Sequence, residues 1–177
     1  MAEIKKLTVD EFKDIASKLP FNELILVKDY YLTLVLYLIK DVAGIYFKGG
    51  TALQKISLDY SRLSEDIDLT VTRDIKELIR EIKDILEKNG FDKITKDKEV
   101  EGFTRLVIHY KGFLDEDGVI FIDLNKRAKL LMKPEKHKIN HFYKDNIPEF
   151  SFNTLAMEEI LAEKVASAIG RNQPRDH

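Results

Sequence analysis

In the stretch Asp66-Ile67-Asp68-Leu69-Thr70-Val71, apolar Ile67, Leu69 and Val71 alternate with Asp66, Asp68 and Thr70. A period of two marks a β-strand with one buried face, and it sends both carboxylates to the same side. Two carboxylates so placed lie about 7 Å apart and repel each other unless a cation sits between them. Hard oxygen ligands of this kind suit Mg2+ or Mn2+, which takes one or two carboxylates and completes its shell with substrate phosphates and water. Standing alone, an Asp-x-Asp strand is equally compatible with a solvated sheet face.

The segment upstream favours the ligand-binding reading. Ile45-Tyr46-Phe47 reads as a strand end that runs through Lys48-Gly49-Gly50 into a helix beginning near Thr51. Glycines at such a junction let the backbone approach a ligand closely. Thr51 is placed to cap the helix, whose free N–H groups and positive dipole end favour a phosphate. A Gly-Gly-Thr by itself is a turn before a capped helix. Followed after fourteen intervening residues by Asp66, it reads as a phosphate cradle preceding a metal site.

Around this pair the chain divides into regular elements. Thr8-Val9-Asp10-Glu11 is a capping box for a first helix that ends at Pro20. A second helix spans about 21–40 and has almost no polar face, which predicts a central buried position, with Tyr30, Tyr31 and Tyr37 as core or partner surface rather than a base-stacking platform. Asp74 opens a third helix with the stripe Ile75, Leu78, Ile79, Ile82, Leu86, closed by Asn89-Gly90. Residues 103–110 and 119–125 alternate as strands, with Asp117-Gly118 as the expected turn. A last helix over about 156–169 places Lys164 within an inward stripe of Met157, Ile160, Leu161 and Ala168. That ammonium must snorkel outward, pair with a structural acid or meet an anionic ligand.

Asp123 is the single acid of the apolar strand Val119-Ile120-Phe121-Ile122-Asp123-Leu124-Asn125 and needs a partner there. Lys126, Arg127, Lys129, Lys133, Lys136 and Lys138 follow it, opposed only by Glu135. They form either a solvated loop or a surface for RNA phosphates. His137 and His141 stand four apart but lack a third ligand, which argues against zinc.

The 177 residues carry a net charge of −2, so any nucleic-acid contact must come from a local patch. Without cysteine there are no disulfides, and a reducing compartment is the simplest inference. The N-terminus has no signal-peptide pattern, and the apolar run from Leu24 to Ile39 is too short to span a bilayer. A cytoplasmic protein of one domain, with no membrane partner, is expected.

The string Lys48-Gly49-Gly50-Thr51-Ala52-Leu53 with Arg62-x-Ser64-Glu65-Asp66-Ile67-Asp68-Leu69 resembles the AbiEii/AbiGii toxin-type branch of the DNA polymerase β nucleotidyltransferase superfamily. So do Glu158-Glu159-Ile160-Leu161-Ala162-Glu163-Lys164 and Arg171-x-x-Pro174-Arg175-Asp176. The resemblance implies an α/β (α+β) nucleotidyltransferase core over 1–177, a small mixed sheet flanked by helices. It implies that Asp66, Asp68 and Asp123 hold Mg2+ or Mn2+ and that Lys164 is functional. Lys48, Gly49, Gly50, Thr51, Arg62, Ser64, Arg175 and Asp176 would contact the nucleotide. The implied reaction moves NMP from an NTP to an acceptor, with the 3′ end of tRNA favoured and a cognate antitoxin opposing the effect. A non-catalytic NTP-binding module and a metal-dependent nuclease are the competing readings. Family members continue into a longer helical region, whereas this sequence stops at His177, so either the domain is minimal or the chain is shortened.

Overall fold

The computed structural model describes residues 3–57, 63, 65–113, 115–127 and 129–171. Helix α1 (Val9–Ser17) starts as its capping box dictates. The Thr8 hydroxyl accepts from the Glu11 N–H, and the Glu11 carboxylate accepts from the Thr8 N–H at 2.8 Å. In α2 (Glu23–Ile39) the Asn22 side chain caps the first turn, and Leu26, Val27, Leu32, Val35, Leu36 and Ile39 are fully buried. Strand β1 (Ile45–Lys48) runs directly into α3 (Gly49–Ile56). Then come β2 (Asp66–Val71) and α4 (Ile75–Glu87), the latter capped by Asp74, whose carboxylate accepts from the Lys76 and Glu77 N–H groups. The remaining elements are β3 (Ile94–Val100), β4 (Phe103–Lys111), β5 (Asp117–Lys126), β6 (Glu135–Lys138), β7 (Ser151–Thr154) and α5 (Met157–Arg171).

The strands form one mixed sheet in the order β3-β4-β5-β2-β1-β7-β6. Strands β2 and β5 are parallel, as are β1 and β7; the other neighbours are antiparallel. The period-two reading holds across the centre. Ile67, Leu69 and Val71 of β2, Ile120, Ile122 and Leu124 of β5, and Leu106 and Ile108 of β4 are all fully buried. Register puts Asp66, Asp68, Phe121, Asp123 and Arg105 on the other face. The two edge strands are short on apolar residues: β3 reads Ile-Thr-Lys-Asp-Lys-Glu-Val and β6 reads Glu-Lys-His-Lys.

Several expectations are corrected. The turn between β4 and β5 is not Asp117-Gly118, which already lies in β5. Ahead of it, the Gly112 N–H donates to the Glu116 carbonyl and Asp115 takes a left-handed φ of 63°. Within the basic segment lies β6, and neither it nor β7 was anticipated, since four-residue strands are too short to show a period. With them, the mixed sheet that the resemblance implies is seven strands wide. The stripe assigned to α5 is rotated: Ala156, Glu159 and Ile160 are buried, whereas Leu161 is 49% exposed and Lys164 is only half-buried.

One ion pair lies inside the molecule. Lys55 Nζ of α3 donates to Asp29 Oδ1 of α2 at 2.8 Å and to Thr33 Oγ1 at 3.0 Å, with both charged side chains essentially without exposure. The Tyr143 hydroxyl donates to the Leu26 carbonyl and lies 3.2 Å from Asp29 Oδ2. His141 is buried beside this cluster, its Nδ1 accepting from the Tyr143 N–H. Burial, reinforced by Lys55, holds the imidazole down to a pKa of about 4.

Breaking the pair from one side leaves a buried carboxylate unmatched. Lys55→Met should cost about 3–5 kcal/mol in urea unfolding, and a loss below about 1 kcal/mol would show that the pair contributes little. His141 sets a pH dependence. Because its folded pKa is depressed, the neutral form stabilises the fold, and that contribution is lost as pH falls from 6.5 towards about 4. Wild type should lose about 3 kcal/mol more than His141→Gln across that window; parallel pH profiles of the two proteins would contradict the assignment.

Candidate active site

Lys48 ends β1 with extended backbone, and Gly49 turns the chain into α3 with a φ of +77°. A side chain at Gly49 would be strained by that angle and would also have no room. An added Cβ would lie 2.3 Å from Oδ2 of Asp68. The glycine thus makes space for a carboxylate of the protein itself, beyond any service to a ligand. The helix begins at Gly49, two residues earlier than expected, and its cap position, Lys48, gives the first turn no side-chain hydrogen bond. First-turn N–H groups of α3 are therefore without a side-chain cap. Thr51 does not cap the helix. It is buried, and its hydroxyl donates to the Asp66 carbonyl at 2.5 Å, tying α3 to β2.

Asp68 stands abreast of Lys48 in β1 and of Asp123 in β5, while Asp66 stands abreast of Phe121. The sheet thereby brings the three acids together, on one face of two adjacent strands. Burial first, and then the neighbouring Asp123 charge, pushes the Asp68 carboxyl up to about 6, against the pull of Lys48. Burial also raises Asp66, opposed by Lys28 and Arg105. Such crowded carboxylates favour a proton or a cation between them. Asp123 has found its partner in Arg105, whose Nε and Nη2 donate to its two oxygens at 2.7 and 2.8 Å. Among the described residues no three acidic or histidine side chains form a group able to hold a metal ion by themselves. The donor set fits a hard divalent ion on Asp66 and Asp68, with phosphate oxygens and water completing the shell.

A second layer of charge joins the site to α5. Lys48 Nζ contacts Glu163 Oε2 at 3.1 Å. Arg127, at the end of β5, donates to Glu159 at 2.6 Å and also to Glu163. Burial, and then the Arg127 charge, lowers the Lys48 pKa. Lys164 follows Glu163 on the same helix. Arg62, Ser64, Arg175 and Asp176 lie outside the described residues.

The sequence reading did not single out Arg105, Lys28, Glu159 or Glu163 as site residues, and it placed Arg127 only in the basic segment. The i, i+4 spacing of Glu159 and Glu163 was a usable signal for one acidic helix face. Arg105 carried no motif and emerges only from the β4–β5 register.

The sequence model of the family described as "Nucleotidyl transferase AbiEii toxin, Type IV TA system" matches residues 39–177. No curated protein sequence matches the chain. Among solved structures, MenT4, a nucleotidyltransferase toxin from Mycobacterium tuberculosis, superposes with a TM-score of 0.67 at 20% identity, covering 91% of this chain and 59% of that one. JHP933 from Helicobacter pylori superposes with a TM-score of 0.61 at 19% identity, over 83% of this chain and 58% of its own. These likenesses show the shared fold, and the chain spans less than two thirds of either neighbour's length.

Gly49→Ala tests the packing of strand end against carboxylate. It should lower stability by about 1–3 kcal/mol through the left-handed φ alone, with further loss from the displaced Asp68. Thermal denaturation unchanged from wild type would refute the close approach.

Proposed function

The chain belongs to the AbiEii nucleotidyl transferase toxin family of type IV toxin–antitoxin systems, and on that premise we propose that it transfers a nucleoside monophosphate from an NTP to an acceptor hydroxyl with Mg2+ bound. The observation that carries this reading is the crowding of Asp66, Asp68 and Asp123 beside the uncapped start of α3. Anionic ligands bind helix starts, and divalent ions bind paired carboxylates; a metal–triphosphate needs both within one site.

Asp66 and Asp68 would hold the ion. When bound, Mg2+ neutralises charge on the triphosphate and lowers the pKa of the acceptor hydroxyl. The first-turn N–H groups at Gly49, Gly50 and Thr51 donate to phosphate oxygens, a role that the Thr51 hydroxyl, engaged with Asp66, leaves to its backbone. Lys48 adds positive charge at the same helix start. Lys164 contacts the phosphates or neutralises the departing pyrophosphate. It lies on α5, which Glu159 and Glu163 tether to the site. Arg62, Ser64, Arg175 and Asp176 take the nucleotide-contacting roles that the family pattern gives them.

The acceptor we favour is the 3′ end of tRNA, with a cognate antitoxin as the opposing partner and the cytoplasm as the place of action. Lys126, Lys129, Lys133 and Lys136 remain exposed in and after the Asp123 strand, which supports an RNA acceptor. Among the described residues no helix is long and apolar enough to cross a membrane.

Incubation with Mg2+, each NTP labelled at its α-phosphate and total tRNA should label an RNA band. Asp68→Asn, which keeps the shape of the side chain, should abolish the label while leaving the melting curve within a few degrees of wild type. Label that persists in Asp68→Asn would overturn the site, and shortened RNA without label would favour the nuclease reading.

A further inference from the structure

Arg105 is a cation within the carboxylate site that the proposed transfer step does not use. It lies on β4 directly opposite Asp123, and its planar fork takes both carboxylate oxygens in a bidentate pair. Its guanidinium carbon lies 4.9 Å from the centre of the Phe121 ring, which is two residues away from Asp123 on the same strand face. The pair is unevenly covered: 30% of the Arg105 side chain is exposed against 12% for Asp123. The positive charge also reaches Asp66 and Asp68, where it opposes the effect of burial.

An ion pair beside such acids either orients a ligating carboxylate or competes for it. This one engages both oxygens of Asp123, the carboxylate abreast of Asp68. Arg105 has a long stem, lies partly in solvent and rests on an aromatic ring. It can leave Asp123 by side-chain rotation, without displacing a strand.

We propose that Arg105 is a resident counter-cation that competes with the divalent ion for Asp123, so that the ion alone meets Asp66 and Asp68 and gains the third carboxylate only when the guanidinium swings away. Arg105 is thus a positioning residue that acts through Asp123. The inference rests on the metal-dependent reading of the site given above. Its consequence is that the free protein binds metal weakly and that full coordination is coupled to a ligand, such as a triphosphate, able to draw the arginine off.

The test is Mn2+ binding to the full chain without nucleotide, followed by electron paramagnetic resonance or calorimetry, with folding checked by circular dichroism. Arg105→Gln removes a competing positive charge from Asp123 and should tighten Mn2+ binding about tenfold. Lys28→Gln removes the same charge near Asp66, where Lys28 pairs with Glu65, but leaves Asp123 covered. It should change affinity by less than about threefold. In an Asp123→Asn background, Arg105→Gln should gain no more than Lys28→Gln does. Arg105→Lys keeps the charge without the fork and should fall between wild type and Arg105→Gln. Equal gains in Arg105→Gln and Lys28→Gln, or a tenfold gain that survives Asp123→Asn, would show that Arg105 acts only through its field. Weaker binding in Arg105→Gln would make it a support for Asp123 and overturn the competition. If neither wild type nor any variant binds Mn2+, the metal reading itself fails and the competition with it.

Discussion

The parallel register of β2 on β5, which sets Asp68 abreast of Asp123, is the constraint to which the rest of the molecule answers. Parallel neighbours cannot be joined by a hairpin, so the chain must travel through α4, β3 and β4 before β5 can pair. That excursion delivers Arg105 to the far side of Asp123, where it offsets the repulsion that the register creates. Lys48 arrives at Asp68 from the other flank, on β1. The hydrophobic reverse face, fully buried from Leu106 through Leu124 to Leu69, supplies the stabilisation against which three crowded acids can be held.

Helix α3 is anchored at both ends of its short length. At its start, Thr51 bonds to the Asp66 carbonyl, and Gly49 lies against the Asp68 carboxylate. At its finish, Lys55 reaches into the core for Asp29 and Thr33, while its own carbonyl accepts from the Asn140 N–H. Eight residues would make a marginal helix in isolation. Here the geometry between helix start and carboxylates is set by contacts to the main chain of β2 and to α2, so the proposed phosphate and metal positions are held in a single frame.

Much of this was readable from the residues. The alternation of β2 and β5, the capping signals at Thr8 and Asp74 and the breakers at 89–90 each state a local preference that tertiary structure had no reason to override. The glycine turn and the Asp66–Asp68 pair, read together from the residues, do lie side by side in the fold. What escaped was information held between strands. Arg105 sits in an ordinary alternating strand, and its meaning depends on β4 lying beside β5 in one register rather than another. Orientation of α5 escaped for a related reason. Leu161, Val165 and Ile169 are exposed and Glu159 is buried, the latter on its Arg127 partner, which the helix's own sequence does not reveal. Thr51 illustrates a third limit: its position at a helix start suggested a cap, whereas its hydroxyl serves the neighbouring strand.

A wide sheet offers free backbone donors and acceptors along its outermost strands, which invite other chains to pair. Here those margins are β3 and β6, with Lys96, Asp97, Lys98 and Glu99 in one and Glu135, Lys136 and Lys138 in the other. An incoming strand would have to set its own side chains against this dense, mixed charge and strip it of water. The sheet therefore resists edge-to-edge growth through β3 and β6.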